Sequence, residues 1–180
     1  LNTATRGGRR EFSSVALLVA DNATGAGGIT VYDLDDPSMP MFMVFSKSGT
    51  SINSQSLCST DDQISCVYAL NGRIYFGTSS GGDYYGLRQC DLTTDTYSIY
   101  NYGVGERVSP SSDRNAIHDW AAIPANAAKK IVNNTVNDVA ATIVEGSEIG
   151  ALGLPIPTIG VATDGGVSVI HPNGSVYDLA

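Results

Sequence analysis

Lysine is almost missing from this sequence of 180 residues: only Lys47, Lys129 and Lys130 occur, beside seven arginines. With 10 cations against 18 anions and a formal net charge of −8, the chain lacks the broad positive field that holds a phosphate backbone. No nucleic acid partner is expected. Long apolar runs are missing too. The longest, Val15-Ala16-Leu17-Leu18-Val19-Ala20, falls far short of the roughly 20 residues that cross a bilayer as a helix, so no membrane insertion is expected. The three cysteines, Cys58, Cys66 and Cys90, are an odd number without metal-site spacing. They read as structural thiols, with a Cys58–Cys66 bridge left open should the compartment be oxidising. The chain starts at Leu1 with no secretory leader pattern and reads as an excised or processed piece.

What is present points to a folded, single-domain, all-β chain. Hydrophobic residues make up 42% and charged ones 16%, enough apolar material for a core. Of the 18 acids, 14 are Asp and four are Glu, and there are 20 glycines. Helix surfaces favour Glu and Lys, whereas Asp and Gly suit tight turns between strands, Asp by accepting from its own backbone and Gly by tolerating positive φ.

One phrase occurs three times. An apolar strand, Leu17-Leu18-Val19-Ala20, Ile74-Tyr75-Phe76-Gly77 or Ile159-Gly160-Val161-Ala162, is followed by a threonine and a double glycine: Thr24 with Gly27-Gly28, Thr78 with Gly81-Gly82, Thr163 with Gly165-Gly166. A second strand then closes on Asp-Leu, at Asp33-Leu34, Asp91-Leu92 and Asp178-Leu179. Further strands are expected at 41–45 and 96–100, and upstream of the later copies at 64–70 and 136–141. Four antiparallel strands per unit describe propeller blades. The spacing is uneven, 57 residues and then 85, so the second interval is read as holding an insertion. The expected organisation is a basic flexible arm (1–12, with Arg6, Arg9 and Arg10) and a propeller-like domain (13–180). Its blade-like units cover about 13–60, 61–103 and 136–180, with an insertion at about 104–135. A short helix is expected in that insertion, with Ser111-Ser112-Asp113 as N-cap, running through Ile117 and Trp120 to a break at Pro124. About three units cannot close a ring of four to eight blades, so the propeller is expected to be part of a larger or oligomeric one.

Chemistry-bearing motifs are sparse. Asp33, Asp35 and Asp36 could gather a hard cation, but the EF-hand pattern is absent and they read as turn residues, as does the weaker Asp61-Asp62. His118 and His171 are the only histidines; Asp119 beside His118 makes no dyad, because neighbours on a helix point apart. No Gly-x-Ser-x-Gly elbow surrounds any serine. No catalytic residue, metal ligand or cofactor site is therefore assigned. Asp164-Gly165 is a hairpin dipeptide suited to positive φ at both central positions. Asn22, Asn133 and Asn173 match the glycosylation acceptor pattern and read as polar turn residues. Tyrosines cluster at Tyr84, Tyr85, Tyr97, Tyr100 and Tyr102, where packing between blades competes with ligand contact; Tyr84, Tyr85 and Tyr102 are the candidate binding residues, as loop aromatics that stack on sugars or fill an interface.

Two stretches resemble segments of large tailed-phage virion proteins: Ser14 to Ala20 with Val31-Tyr32-Asp33-Leu34-Asp35-Asp36-Pro37-Ser38-Met39-Pro40 and Met41 to Phe45, and Ile131 to Ala140 with Pro155 to Ile170. In that family a propeller-like region is commonly followed by a lectin-like or laminin-G-like module, absent from this chain, and the proteins are tail or tail-fibre components. The middle, about 79–130, matches less well. The resemblance implies a non-enzymatic structural or binding module located in the virion. Its partners would be other virion proteins or copies of itself, with a host surface glycan as a further candidate. A propeller-type glycosidase or lyase and a cellular protein-interaction propeller are the competing readings. The first needs two carboxylates flanking the bond, and the second lacks a WD40 signature.

Overall fold

Turn chemistry and period-two patterning set the strand ends. The computed structural model describes residues 13–22, 28–46, 54–55, 58, 63–80, 85–110, 118–119 and 123–180. The first sheet is a meander of β1 (Ala16–Asp21), β2 (Gly28–Asp33) and β3 (Met41–Ser46). A two-residue strand, β4 (Ser54–Gln55), precedes the middle sheet, which runs in chain order through β5 (Gln63–Leu70), β6 (Arg73–Ser80), β7 (Leu87–Asp91), β8 (Thr96–Asn101) and β9 (Gly105–Pro110). A second short strand, β10 (His118–Asp119), pairs with β4. The last sheet is a meander of β11 (Val136–Thr142), β12 (Thr158–Thr163), β13 (Gly166–Ile170) and β14 (Val176–Leu179). Every pairing is antiparallel. The protein is all-β, and no helix occurs among the described residues.

The middle sheet lies between the other two, and alternation along its strands decides which neighbour each side chain meets. Ile74 and Phe76 of β6, Cys90 of β7, and Tyr97 and Ile99 of β8 join Ile29, Val31, Phe42, Met43 and Phe45 of the first sheet in one core. Tyr75, Leu87 and Tyr100, of opposite parity, join Ile131, Val136, Val139, Ile159, Val161 and Ile170 in a second core against the last sheet. The sheets approach closely at Gly77: a Cβ there would stand 2.8 Å from both Cys66 Sγ and the Val136 Cβ. Asn22 ties the first sheet to the middle one. Its side-chain amide donates to the Ile64 carbonyl and accepts from the Ile64 N–H, both at 2.9 Å, imitating a strand pair.

Several expectations change. The sheets hold three, five and four strands rather than four each. Gly105–Pro110, assigned from sequence to an insertion, is β9, because the turn after Asn101 folds the chain straight back: Asn101 Oδ1 accepts from the N–H groups of Gly103 and Val104. The short helix expected from Ser111 onward is not seen in the described part of that stretch, where His118–Asp119 is extended and pairs with β4; residues 111–117 and 120–122 lie outside the described residues. In the third copy of the repeat, Asp178-Leu179 lies on β14, one strand farther from β12 than the first two copies place theirs, because the tight Asp164-Gly165 turn leaves room for β13 in between. That hairpin forms, but its left-handed residue is Gly166 (φ 124°), while the β5–β6 hairpin takes positive φ at both Asn71 (51°) and Gly72 (73°). Among the described residues the sheets close no ring. Cys58, Cys66 and Cys90 are free thiols, and burial raises the pKa of Cys66.

The close approach at Gly77 generates a paired test. Gly77→Ala is expected to destabilise the fold by about 1–3 kcal/mol through overpacking against Val136. Gly160→Ala, on β12 with nothing within 4 Å of the added methyl, is expected to stay within about 0.5 kcal/mol of the parent. Urea unfolding midpoints of the two variants decide it, and equal midpoints would contradict the described packing.

Candidate functional site

The face of the middle sheet turned toward the last sheet is only partly apolar. Arg73 and Tyr75 alternate on β6, opposite Asp91 and Gln89 of β7, and Tyr100 of β8 lies opposite Glu106 of β9. Strand pairing thus gathers onto one face residues that are far apart in sequence. A cavity of about 230 Å³ opens there, closed on the other side by Ile159, Ile170 and the β13–β14 turn from His171 to Gly174. That turn is held by Gly174 N–H donating to the His171 carbonyl and by Asn173 Oδ1 accepting from the Ser175 N–H.

Two ion pairs line the cavity. Arg73 Nε meets Asp91 Oδ2 at 3.0 Å, and Lys129 Nζ meets Glu106 Oε2 at 2.7 Å. Asp91 is fixed by its own turn, its Oδ1 accepting from Thr93 N–H and Oγ1. Glu106 Oε1 accepts from the Tyr100 hydroxyl at 2.8 Å. The loop 148–156 packs beside Arg73 at Gly150 and is pinned by Asn71 Nδ2 donating to the Pro155 carbonyl. Two polar atoms remain without a partner although buried: Arg73 Nη1 and the Tyr75 hydroxyl, on residues 5% and 0% exposed. Burial holds the Tyr75 phenol above its ordinary pKa of 10.0; burial and then the Glu106 charge do the same for Tyr100. Both stay protonated at neutral pH and can donate.

A larger cavity of about 490 Å³ lies between the first and middle sheets, beneath Leu152 and Leu154. Its walls are mainly apolar, from Leu18, Val31, Phe42 and Ile74, and Arg73, shared with the smaller cavity, is the one charged residue of its lining among the described residues. The smaller cavity is therefore the candidate site on chemical grounds.

The residues singled out from sequence fall elsewhere. Tyr84 lies outside the described residues. Tyr85 is half-buried and its carbonyl accepts from Asn101 Nδ2 at 3.1 Å, which brings it to the strand end that also carries Tyr102. Tyr102 is 60% exposed, its N–H anchored on Asn134 Oδ1. Tyr97 and Tyr100 are buried in opposite cores. Asp33 accepts from the Asp35 N–H and Asp36 from Ser38, both within the β2–β3 turn, while Asp35 accepts from the N–H groups of Ser14 and Val15 and ties that turn to the start of the first sheet. Asp61 and Asp62 lie outside the described residues. Asn133 and Asn173 cap turns, whereas Asn22 makes the inter-sheet bridge. Sequence reading gave no role to Arg73, Tyr75, Glu106, Lys129 or His171. The one local signal was the charged Arg73 directly before the apolar run Ile74-Tyr75-Phe76.

The buried phenols set an alkaline limit. Below pH 10 neither folded nor unfolded tyrosine ionises; above it the unfolded chain loses protons that Tyr75 and Tyr100 retain when folded. Stability is then expected to fall by up to about 1.4 kcal/mol per pH unit for each phenol. Tyrosinate absorbance is expected to show at least two of the nine tyrosines ionising only with unfolding. Reversible titration of all nine in the folded protein would contradict this. No family model, curated protein or solved structure matches the chain.

Proposed function

We propose that this chain is a non-enzymatic, propeller-like module of a tailed-phage virion tail protein, which packs against neighbouring subunits and presents loops to them or to the host surface. The observation that carries the reading is the stack itself. Three consecutive meander sheets packed face to face are the arrangement of neighbouring blades, and both ends of the stack are open and apolar. On the first sheet, Leu17, Tyr32 and Met41 form a row across the outer face, with Leu17 and Met41 exposed. On the last sheet, Val167 beside Leu179 and Val169 beside Tyr177 do the same, with Tyr177 61% and Leu179 65% exposed. Apolar faces of this kind mark surfaces covered by another blade or chain. The resemblance of both ends of the chain to tail proteins names the setting.

Two further features support a structural role. Asp91 and Glu106, the carboxylates of the polar cavity, each face a cation at ion-pair distance, an arrangement suited to fixing neighbours rather than to protonating a leaving group. The strand end that carries Tyr85 and Tyr102 is where exposed aromatic surface is offered to a partner.

Light scattering coupled to size exclusion tests the open stack. The chain is expected as a discrete oligomer that Leu17→Asp and Tyr177→Asp each dissociate. Aggregation with hydrophobic-dye binding would also fit open faces, with the covering blades then supplied by a longer polypeptide. A monodisperse, dye-silent monomer would contradict the reading. Peptides of this chain are further expected in purified virions of the encoding phage, and their absence there would remove the virion assignment.

A further inference from the structure

We infer that the polar cavity between the middle and last sheets is a binding site for a single neutral sugar residue. The Tyr75 hydroxyl and Arg73 Nη1 are buried, unpartnered, and carried by residues that line the cavity. A buried polar atom without a partner is costly, typically about 1–3 kcal/mol, so a site that keeps two of them is built for an oxygen supplied from outside. Both donate, and the phenol also accepts, which matches a hydroxyl group.

Charge selects among oxygen ligands. The cations Arg73 and Lys129 are already matched by Asp91 and Glu106, so a ligand bearing net charge of either sign would enter without a counter-charge. A neutral ligand with several hydroxyls meets no such penalty. It finds acceptors in the two carboxylates and donors in Lys129, Gln89 and the Tyr75 phenol. Size points the same way. At about 230 Å³ the cavity is several times the roughly 30 Å³ share of one water and below the roughly 300 Å³ at which drug-sized pockets begin. The cavity opens beside Asn173, which is exposed, so a ring at the end of a glycan could enter as well as a free one. The site is separate from the loop tyrosines, and the inference does not depend on the virion assignment.

Saturation-transfer NMR on the 180-residue chain tests it with D-glucose, D-galactose, D-mannose and N-acetyl-D-glucosamine, each also as its methyl glycoside to imitate a chain end. Glucuronate and glucosamine serve as charged controls. At least one neutral sugar is expected to bind in the millimolar range. Tyr75→Phe is expected to weaken it about tenfold, while leaving the sugar-free protein as stable as the parent or more so, because it deletes an orphaned hydroxyl. Tyr102→Ala is expected to leave binding unchanged. Stronger binding by the glycosides than by the free sugars would identify chain ends as the natural source, and the reverse would identify free monosaccharide; each supports the site. The inference is overturned by silence from every neutral sugar, which would make the cavity a site for water only. It is equally overturned by equal affinity in Tyr75→Phe, by loss of binding in Tyr102→Ala, or by glucuronate binding more tightly than glucose.

Discussion

The central strands of the middle sheet are buried on both faces, and the rest of the structure follows from that constraint. An antiparallel meander commonly keeps one face wet and alternates apolar with polar residues. Here Ile74, Tyr75 and Phe76 are consecutive and all buried, Ile74 and Phe76 against the first sheet and Tyr75 against the last. A sheet of this kind cannot stand alone, because exposing either face would return large side chains to water. It needs two neighbours, and each neighbour in turn carries an outward face with its own apolar rows.

The two interfaces of the middle sheet are not alike. Toward the first sheet the contact is built from Phe42, Phe45, Phe76 and Tyr97, and the cavity it leaves is lined mainly by apolar side chains. Toward the last sheet the gap narrows at Gly77, where the missing side chain lets Val136 come in, and holds a cavity at Tyr75 and Arg73, two and four residues earlier on the same face. Polar groups on that face are tolerable only because they are tied together: Arg73 to Asp91, and Glu106 to both Tyr100 and Lys129. Removing one member would leave its partner buried and charged, a larger penalty than the pair itself is worth.

The sequence made the strands legible because the features that define them are local. The runs Ile29 to Leu34, Leu87 to Leu92 and Ile159 to Ala162 lie within one or two residues of the observed strands. The fifth strand of the middle sheet was harder to see, since Gly105-Glu106-Arg107-Val108-Ser109-Pro110 has little apolar content. It is held by its pairing with β8 and by the Glu106–Asn126 bridge. Asp178-Leu179 misled for a related reason: an Asp that ends a strand marks a turn wherever one occurs and does not say which strand of the unit precedes it. The polar cavity was not legible at all. Its charged residues, Arg73, Asp91, Glu106 and Lys129, are spaced by 15 or more positions; strand register brings the first three together, and the Glu106–Asn126 bridge brings in Lys129.

Comparison of the copies shows which part of that site belongs to the repeat and which is an addition. Asp33 and Asp91 occupy the same place, the end of the second strand of the phrase, and each accepts from a backbone N–H two residues on. The aspartate therefore serves the turn in both units, whatever lies across from it. Across from Asp91 stands Arg73, but across from Asp33 stands Ala16, on an edge strand with little covering it. Asp33 is buried all the same, and Ala16 lines the cavity between the first and middle sheets. In the middle unit the aspartate meets Arg73 at ion-pair distance, and Arg73 Nη1 is left buried without a partner. The polar cavity thus depends on residues added in the middle copy rather than on the repeated sequence, and any ligand specificity it carries arises from Arg73, Tyr75 and Lys129, which the other copies do not repeat.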